Sequence, residues 1–166
     1  MAEKRTTHKS SLYRAEVIEK ESRDYFLKAS EKTDNPLTKR TFQIISERHA
    51  KHSERIEQTY RAAQAKQPPE PEAPAQPRPV FEEIVRRLEQ TTSPTAENIA
   101  EMRDAIVYAT KIRDVYVYLE NNAAEERERM LFAALNREED GLKTSLVETL
   151  GYLRSNFQIS RVPKET

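Results

Sequence analysis

Two of the three histidines in this 166-residue chain, His49 and His52, stand where a helix core would take leucine. In FQIISERHAKHSERI, residues 42–56, the series Phe42, Ile45, His49, His52, Ile56 advances by alternating steps of three and four, the inward stripe of an amphipathic helix. Imidazoles placed this way either ligate a metal or stand as neutral core residues that hydrogen-bond each other, a carboxylate or water. The chain has no cysteine, which excludes disulfides, thiolate metal sites, iron–sulfur clusters and cysteine nucleophiles. Any metal must therefore be held by nitrogen and oxygen.

Four helices are expected to position these side chains. Ser10–Ser11 offers a cap for helix one, which carries Ala15, Ile18, Glu19, Ser22, Phe26 and Ala29 and runs to about Lys32. TDNPL ends it, and Asn35 followed by Pro36 starts helix two, which extends to about Ala65 and closes an antiparallel hairpin. KQPPEPEAPAQPRP then holds six of the nine prolines and reads as an extended, semi-rigid connector. The short amphipathic piece VFEEIVRRLEQ lies within this crossing. Ser93, with Pro94 just after it, is the expected cap of helix three, which places Met102, Ala105, Ala109, Ile112, Tyr116 and Leu119 on one face. Asn121–Asn122 is the expected turn into helix four, whose stripe is Phe132, Leu135, Glu139, Leu142, Leu146 and Leu153. One carboxylate, Glu139, interrupts that stripe.

The organisation that follows is a flexible leader at 1–10, a first hairpin at 11–65, a Pro-rich crossover at 66–93, a second hairpin at 94–156 and a tail at 157–166. Only two glycines, with heavy use of Glu, Lys, Arg, Ala and Leu, make the fold class all-α. Charged residues form 34% of the chain but cancel to a net charge of zero, so no basic field recommends nucleic acid or anionic lipid as a partner. The absence of a long apolar run or an apolar stretch after Lys4–Arg5 gives the expectation of a cytoplasmic protein that engages no membrane.

Shifting the sequence by ninety residues aligns Ala15 with Ala105, Val17 with Val107, Arg23–Asp24 with Arg113–Asp114 and Phe42 with Phe132, and the apolar stripes coincide. In this register His49 falls on Glu139, His52 on Leu142 and Glu19 on Ala109. Two hairpins joined by a long crossing make a four-helix bundle, an architecture that builds metal sites from inward carboxylates and histidines. The known recipe takes a Glu from each of two helices and a Glu-x-x-His from each of the other two.

At this point AEVIEKESRDYFLKASEKTDNPLTKRTFQIISERHAKHSERI resembles the first half of a rubrerythrin-type, ferritin-like domain, and residues 105–153 resemble a decayed second half. The resemblance implies a ferritin-like bundle with a two-iron site for oxygen, peroxide or iron storage. Glu19 matches the first-helix ligand, with Phe26 seven residues on where the family usually has tyrosine. His52 matches the first motif histidine, while His49 takes the place of its glutamate. In the second half Glu139 matches a motif glutamate, Ala109 and Leu142 replace the other two ligands, and Tyr116 still follows seven residues after Ala109. By this resemblance a complete di-iron centre is not expected. What remains is one transition-metal site of Glu19, His49, His52 and Glu139, for iron or, as second choice, zinc. No catalytic residue is assigned. Without cysteines there is no attached rubredoxin-type centre, so a redox role would need an external electron donor.

The other reading is a structural or regulatory bundle that kept the fold and lost the chemistry, with a protonated imidazole between the carboxylates serving as the cation. Tyr108, Tyr116 and Tyr118 are expected to be packing residues with a hydroxyl at the rim. EERER and NREED read as solvated faces, and His8, in the polar leader, is not a candidate ligand. The connector is long enough to pass between subunits, giving the expectation of a homodimer, including a hairpin-swapped one.

Overall fold

Asn35 makes the first corner. Its side chain accepts hydrogen bonds from the backbone N–H groups of Leu37 (3.1 Å) and Thr38 (3.0 Å), capping a helix that opens on Pro36. Proline fits there because the first-turn N–H has no intrahelical partner to lose. A computed structural model of the chain describes residues 2–68, 81, 84, 85 and 93–159, with side chains from Ser11 onward. Its elements are α1 (Ala2–Lys32), α2 (Pro36–Gln64), α3 (Ala96–Asn122) and α4 (Glu126–Ile159).

Two boundaries depart from the sequence expectations. Helix α1 begins at Ala2, so Ser10–Ser11 lies inside the helix and the leader is helical. Residues 2–10 contain no glycine or proline, and nothing in them stops the helix from extending toward the N-terminus. Helix α3 is capped by Thr95 rather than Ser93. Thr95 accepts from the Asn98 N–H while the Asn98 side chain accepts from the Thr95 N–H, a reciprocal box that Ser93 cannot form because Ala96, three residues on, has no side-chain acceptor. Asn121 and Asn122 close α3, and Ala123–Glu125 make the turn, close to the place expected.

Helix α1 packs along α2 and α3 along α4, and the hairpins meet through α2 against α4 and α1 against α3. The result is a four-helix bundle with no strands among the described residues. The expected stripes all face inward: Met102, Ala105, Ala109, Ile112, Tyr116 and Leu119 on α3 are buried, as are Phe132, Leu135, Glu139, Leu142, Leu146 and Leu153 on α4.

Two apolar clusters fill the interior. One gathers Phe26, Phe42, Ile45, Met102 and Leu146; the other gathers Leu12, Ile56, Ile112, Phe132 and Leu135. From the crossover, Phe81, Ile84 and Val85 are described, and Ile84 is buried in the first cluster. Residues 69–80, 82–83 and 86–92 of the Pro-rich crossover, and with them the hairpin-swapped connection, lie outside the described residues, as does the tail after Ile159. Among the described residues no helix is long and apolar enough to cross a membrane.

The Asn35 cap generates a stability prediction. Asn35→Ala removes the one oxygen that accepts both capping hydrogen bonds at a buried corner, and urea unfolding should show a loss of about 1 kcal/mol, reaching about 2 kcal/mol at most. An unchanged midpoint would show that the corner is held by packing alone.

Candidate metal centre

The two apolar clusters are separated by a polar layer. Each bundle helix contributes to it: Glu19 from α1, His49 and His52 from α2, Tyr116 from α3 and Glu138 and Glu139 from α4. Steps of three and four put His49, His52 and Ile56 on one face of α2, so the residues that bury Ile45 and Ile56 bury the imidazoles too. Glu19 and Glu139 are fully buried, and each histidine is 1% exposed.

These four side chains converge. Each offers one donor atom, and the four atoms lie within 4.8 Å of one another. His49 Nδ1 donates to Glu19 Oε2 at 2.6 Å and lies 3.5 Å from Glu139 Oε1. His52 Nδ1 lies 3.4 Å from Glu19 Oε1 and 3.2 Å from Glu139 Oε1. All four residues assigned to the site by their spacing and resemblance are therefore brought together.

Three further residues complete the layer. His52 Nε2–H donates to Glu138 Oε2 at 2.9 Å, and Arg55 donates to Glu138 Oε1 at 2.5 Å. With its Nε2–H committed to a carboxylate, His52 presents Nδ1 inward, the usual support for a ligating imidazole. Tyr116 donates its hydroxyl to Glu19 Oε1. This corrects the expectation that Tyr116 is a packing residue with a hydroxyl at the rim: it is fully buried and its hydroxyl touches the site. The ninety-residue repeat carried the signal, since it sets Tyr116 opposite Phe26, whose ring stacks on His49 at 5.6 Å. Tyr118 instead faces solvent, and Tyr108 stacks on Tyr25. Glu138 was hidden in NREED, whose charge density reads as a solvated face.

The positions that the ninety-residue repeat sets against Glu19 and His52 are apolar. Ala109 is 2% exposed and Leu142 6% exposed, both within an apolar cluster.

The donor set can be tested against a metal. Tetrahedral coordination with bonds near 2.1 Å spaces its ligand atoms by about 3.4 Å. Three of the four histidine–carboxylate separations, at 3.2–3.5 Å, match that spacing. His52 Nδ1 and both carboxylate oxygens of Glu139 are buried without a hydrogen-bond partner. Buried polar atoms of this kind carry a desolvation cost that an ion can remove. The buried Glu19, His49, His52 and Glu139 group could thus bind a metal ion through two nitrogens and two oxygens.

Ionisation follows the same geometry. Burial pushes the Glu19 carboxyl up, but hydrogen bonds and charge from His49 and His52 outweigh it and hold the group at about 2. Burial opposes the charged form of His52, yet Glu138, Glu139 and Glu19 raise it well above 6.5. Glu138 is likewise pushed up by burial and pulled down further by His52 and Arg55, to about 2. Burial and the Glu19 carboxylate raise Tyr116 well above 10, keeping its hydroxyl a donor.

No protein-family model, curated protein or solved structure matches this chain. The geometry of the layer therefore carries the functional argument.

For metal-stripped protein these shifts fix the sign of a pH profile. The depressed Glu19 and Glu138 contribute stability that is complete above their ordinary value of 4.5 and is lost as pH falls toward about 2. The raised His52 contributes stability that is complete below its ordinary 6.5 and is lost as pH climbs through its higher folded value. Urea midpoints should peak between these limits and fall on both sides. A profile that is flat from the acid limb to the alkaline one would mean that the layer is not ionised as described.

Proposed function

We propose that this chain is a divergent rubrerythrin-like bundle that binds one transition metal ion, iron first and zinc second, and serves in iron handling or as an oxidoreductase acting on oxygen or peroxide. One observation carries the reading. Two buried carboxylates and two buried imidazoles converge at mid-height in a four-helix bundle with polar atoms left unpaired, an arrangement that a divalent ion balances in charge and in bonding.

Glu19, His49, His52 and Glu139 would hold the ion, and Ala109 and Leu142 support one ion rather than two. When bound, the ion supplies Lewis acidity or, as iron, a redox centre for oxygen chemistry. The protein's own part is positional. Glu138, held by Arg55, orients His52, and Tyr116 holds Glu19 through its hydroxyl. His49 carries a proton toward Glu19, and ligation through Nδ1 requires giving that proton up. The chain has no cysteine for an electron-transfer cluster, so turnover would draw on a separate donor.

A second reading has its own support. His52 stands among Glu19, Glu138 and Glu139, and this can operate as a metal-free ionic network in a bundle with a structural or regulatory role.

Elemental analysis of protein purified without chelator, followed by Fe(II) and Zn(II) titration, separates the readings. Metal binding predicts about one ion per chain. At free metal a hundredfold above Kd it also predicts about 2.7 kcal/mol of added stability. Replacing His49 and His52 together by Ala should abolish uptake while the protein stays helical. Less than roughly a tenth of an equivalent, with unchanged melting, favours the metal-free network. Glu138→Gln should leave the stoichiometry intact and weaken affinity about 10- to 100-fold through the loss of His52 orientation. Unaltered affinity would remove Glu138 from the design.

A further inference from the structure

A run of aromatic rings leads out of the metal layer. Phe26, fully buried, stacks on His49 with ring centroids 5.6 Å apart and planes 13° from parallel. The same Phe26 ring meets Tyr25 edge-on at 5.1 Å and Tyr108 at 5.9 Å. Tyr25 of α1 and Tyr108 of α3 are themselves stacked, 4.0 Å apart and 14° from parallel, and both are half-buried at the seam between the two helices. Ring contacts therefore run unbroken from a candidate ligand to the edge of the bundle.

The tyrosine inside the layer opens no such route. Tyr116 donates to Glu19, and among the described residues its ring packs against Phe132 at 6.3 Å, which is fully buried. Charge placed on that branch stays inside the bundle.

Packing does not account for the hydroxyls at the seam. Phenylalanine would stack as well, and the Tyr108 hydroxyl lies 3.5 Å from that of Ser22, long for a hydrogen bond. What a phenol adds is an electron that can be removed together with its proton. Both the stacked partner ring and the exposed Asp104 carboxylate, whose charge acts on Tyr25, stabilise a ring that has lost an electron. Burial, and after it the Asp104 charge, raise the Tyr25 phenol above its ordinary value of 10, so it holds its proton until it is oxidised.

Hydrogen peroxide takes up two electrons and two protons in becoming two waters, and a single iron(II) ion offers one electron as it becomes iron(III). We propose that the stacked Tyr25 and Tyr108 rings supply the second electron, one of them being oxidised through Phe26 and His49 when peroxide is reduced at the layer. This relay rests on iron occupying the layer, as proposed above. In balance, one iron(II), one peroxide, one phenol and one proton give one iron(III), one tyrosyl radical and two waters. The O–O bond breaks with uptake of two protons, and the phenolic O–H breaks with release of one to solvent at the seam. Phe26 has no hydroxyl and is far harder to oxidise than a phenol, so it couples His49 to the pair without holding the charge.

The full chain, loaded with Fe(II) without oxygen and mixed with an equivalent of hydrogen peroxide, is freeze-quenched for electron paramagnetic resonance. A tyrosyl radical is expected, identified by the narrowing of its signal in protein grown on ring-deuterated tyrosine. Tyr25→Phe combined with Tyr108→Phe should abolish the signal while iron uptake and helicity are unchanged, since both replacements keep the stack. Tyr118→Phe, on the exposed flank, should leave it. Phe26→Leu, which removes the bridging ring, should bind iron and lose the radical. Replacing His49 and His52 together by Ala should also lose it, because free iron does not use the route. Iron that binds without yielding a radical overturns the relay and leaves the iron-binding reading standing. A radical that survives the Tyr25 and Tyr108 replacement, as one on Tyr116 would, or that keeps its yield in Phe26→Leu, likewise overturns the relay alone. A layer that takes up no iron overturns both.

Discussion

Two carboxylates shielded from water in the middle of the bundle set the terms for everything around them. Glu19 and Glu139 bring negative charge into a layer bounded above and below by aliphatic and aromatic packing. Removing an unpaired carboxylate from water costs several kcal/mol, so the layer must supply compensating charge and hydrogen bonds. His49 and His52 stand between the two carboxylates, Tyr116 donates to Glu19, and Arg55 meets Glu138 at the edge. Each of the four helices thus has a reason to hold its depth and rotation, since a shift of one residue would strand a buried charge.

The layer is also lopsided, and that bears on its chemistry. His52 is supported on both ring nitrogens' sides, with Glu138 behind it and two carboxylates in front. The positions related to Glu19 and His52 by the internal repeat are Ala109 and Leu142, which pack as ordinary core. A bundle built from two similar hairpins has therefore concentrated its polar interior on the first hairpin, with Tyr116 of α3 and one residue pair of α4. This suits a single ion with four protein donors, and among the layer's three carboxylates it leaves Glu139 with neither oxygen hydrogen-bonded.

Much of this could be read from the sequence because it rests on spacing. The inward stripes of all four helices and the Asn35–Pro36 corner follow from periodicity and cap chemistry, which are local, whereas the turn expected at Asn121–Asn122 falls one residue later, at Ala123–Glu125. The four converging site residues were legible because each is a polar interruption of an apolar stripe. What escaped was set by three-dimensional neighbours. Tyr116 fits a packing stripe as well as any aromatic, and only the position of Glu19 across the bundle gives its hydroxyl a task. Glu138 sits in a run of charges that a linear reading assigns to solvent, yet the rotation of α4 aims it at His52. The start of α1 at Ala2 and the Thr95 cap were missed because several serines and threonines could cap, and the choice depends on which backbone can turn.

Anomalous diffraction from crystals of the protein grown with Fe(II) or Zn(II) bears most directly on the claim that these four side chains form one metal site. One peak per chain is predicted, within about 2.0–2.2 Å of a donor atom from each of Glu19, His49, His52 and Glu139. A pair of peaks with the second beside Ala109 and Leu142, or none in the layer at full metal excess, would contradict it.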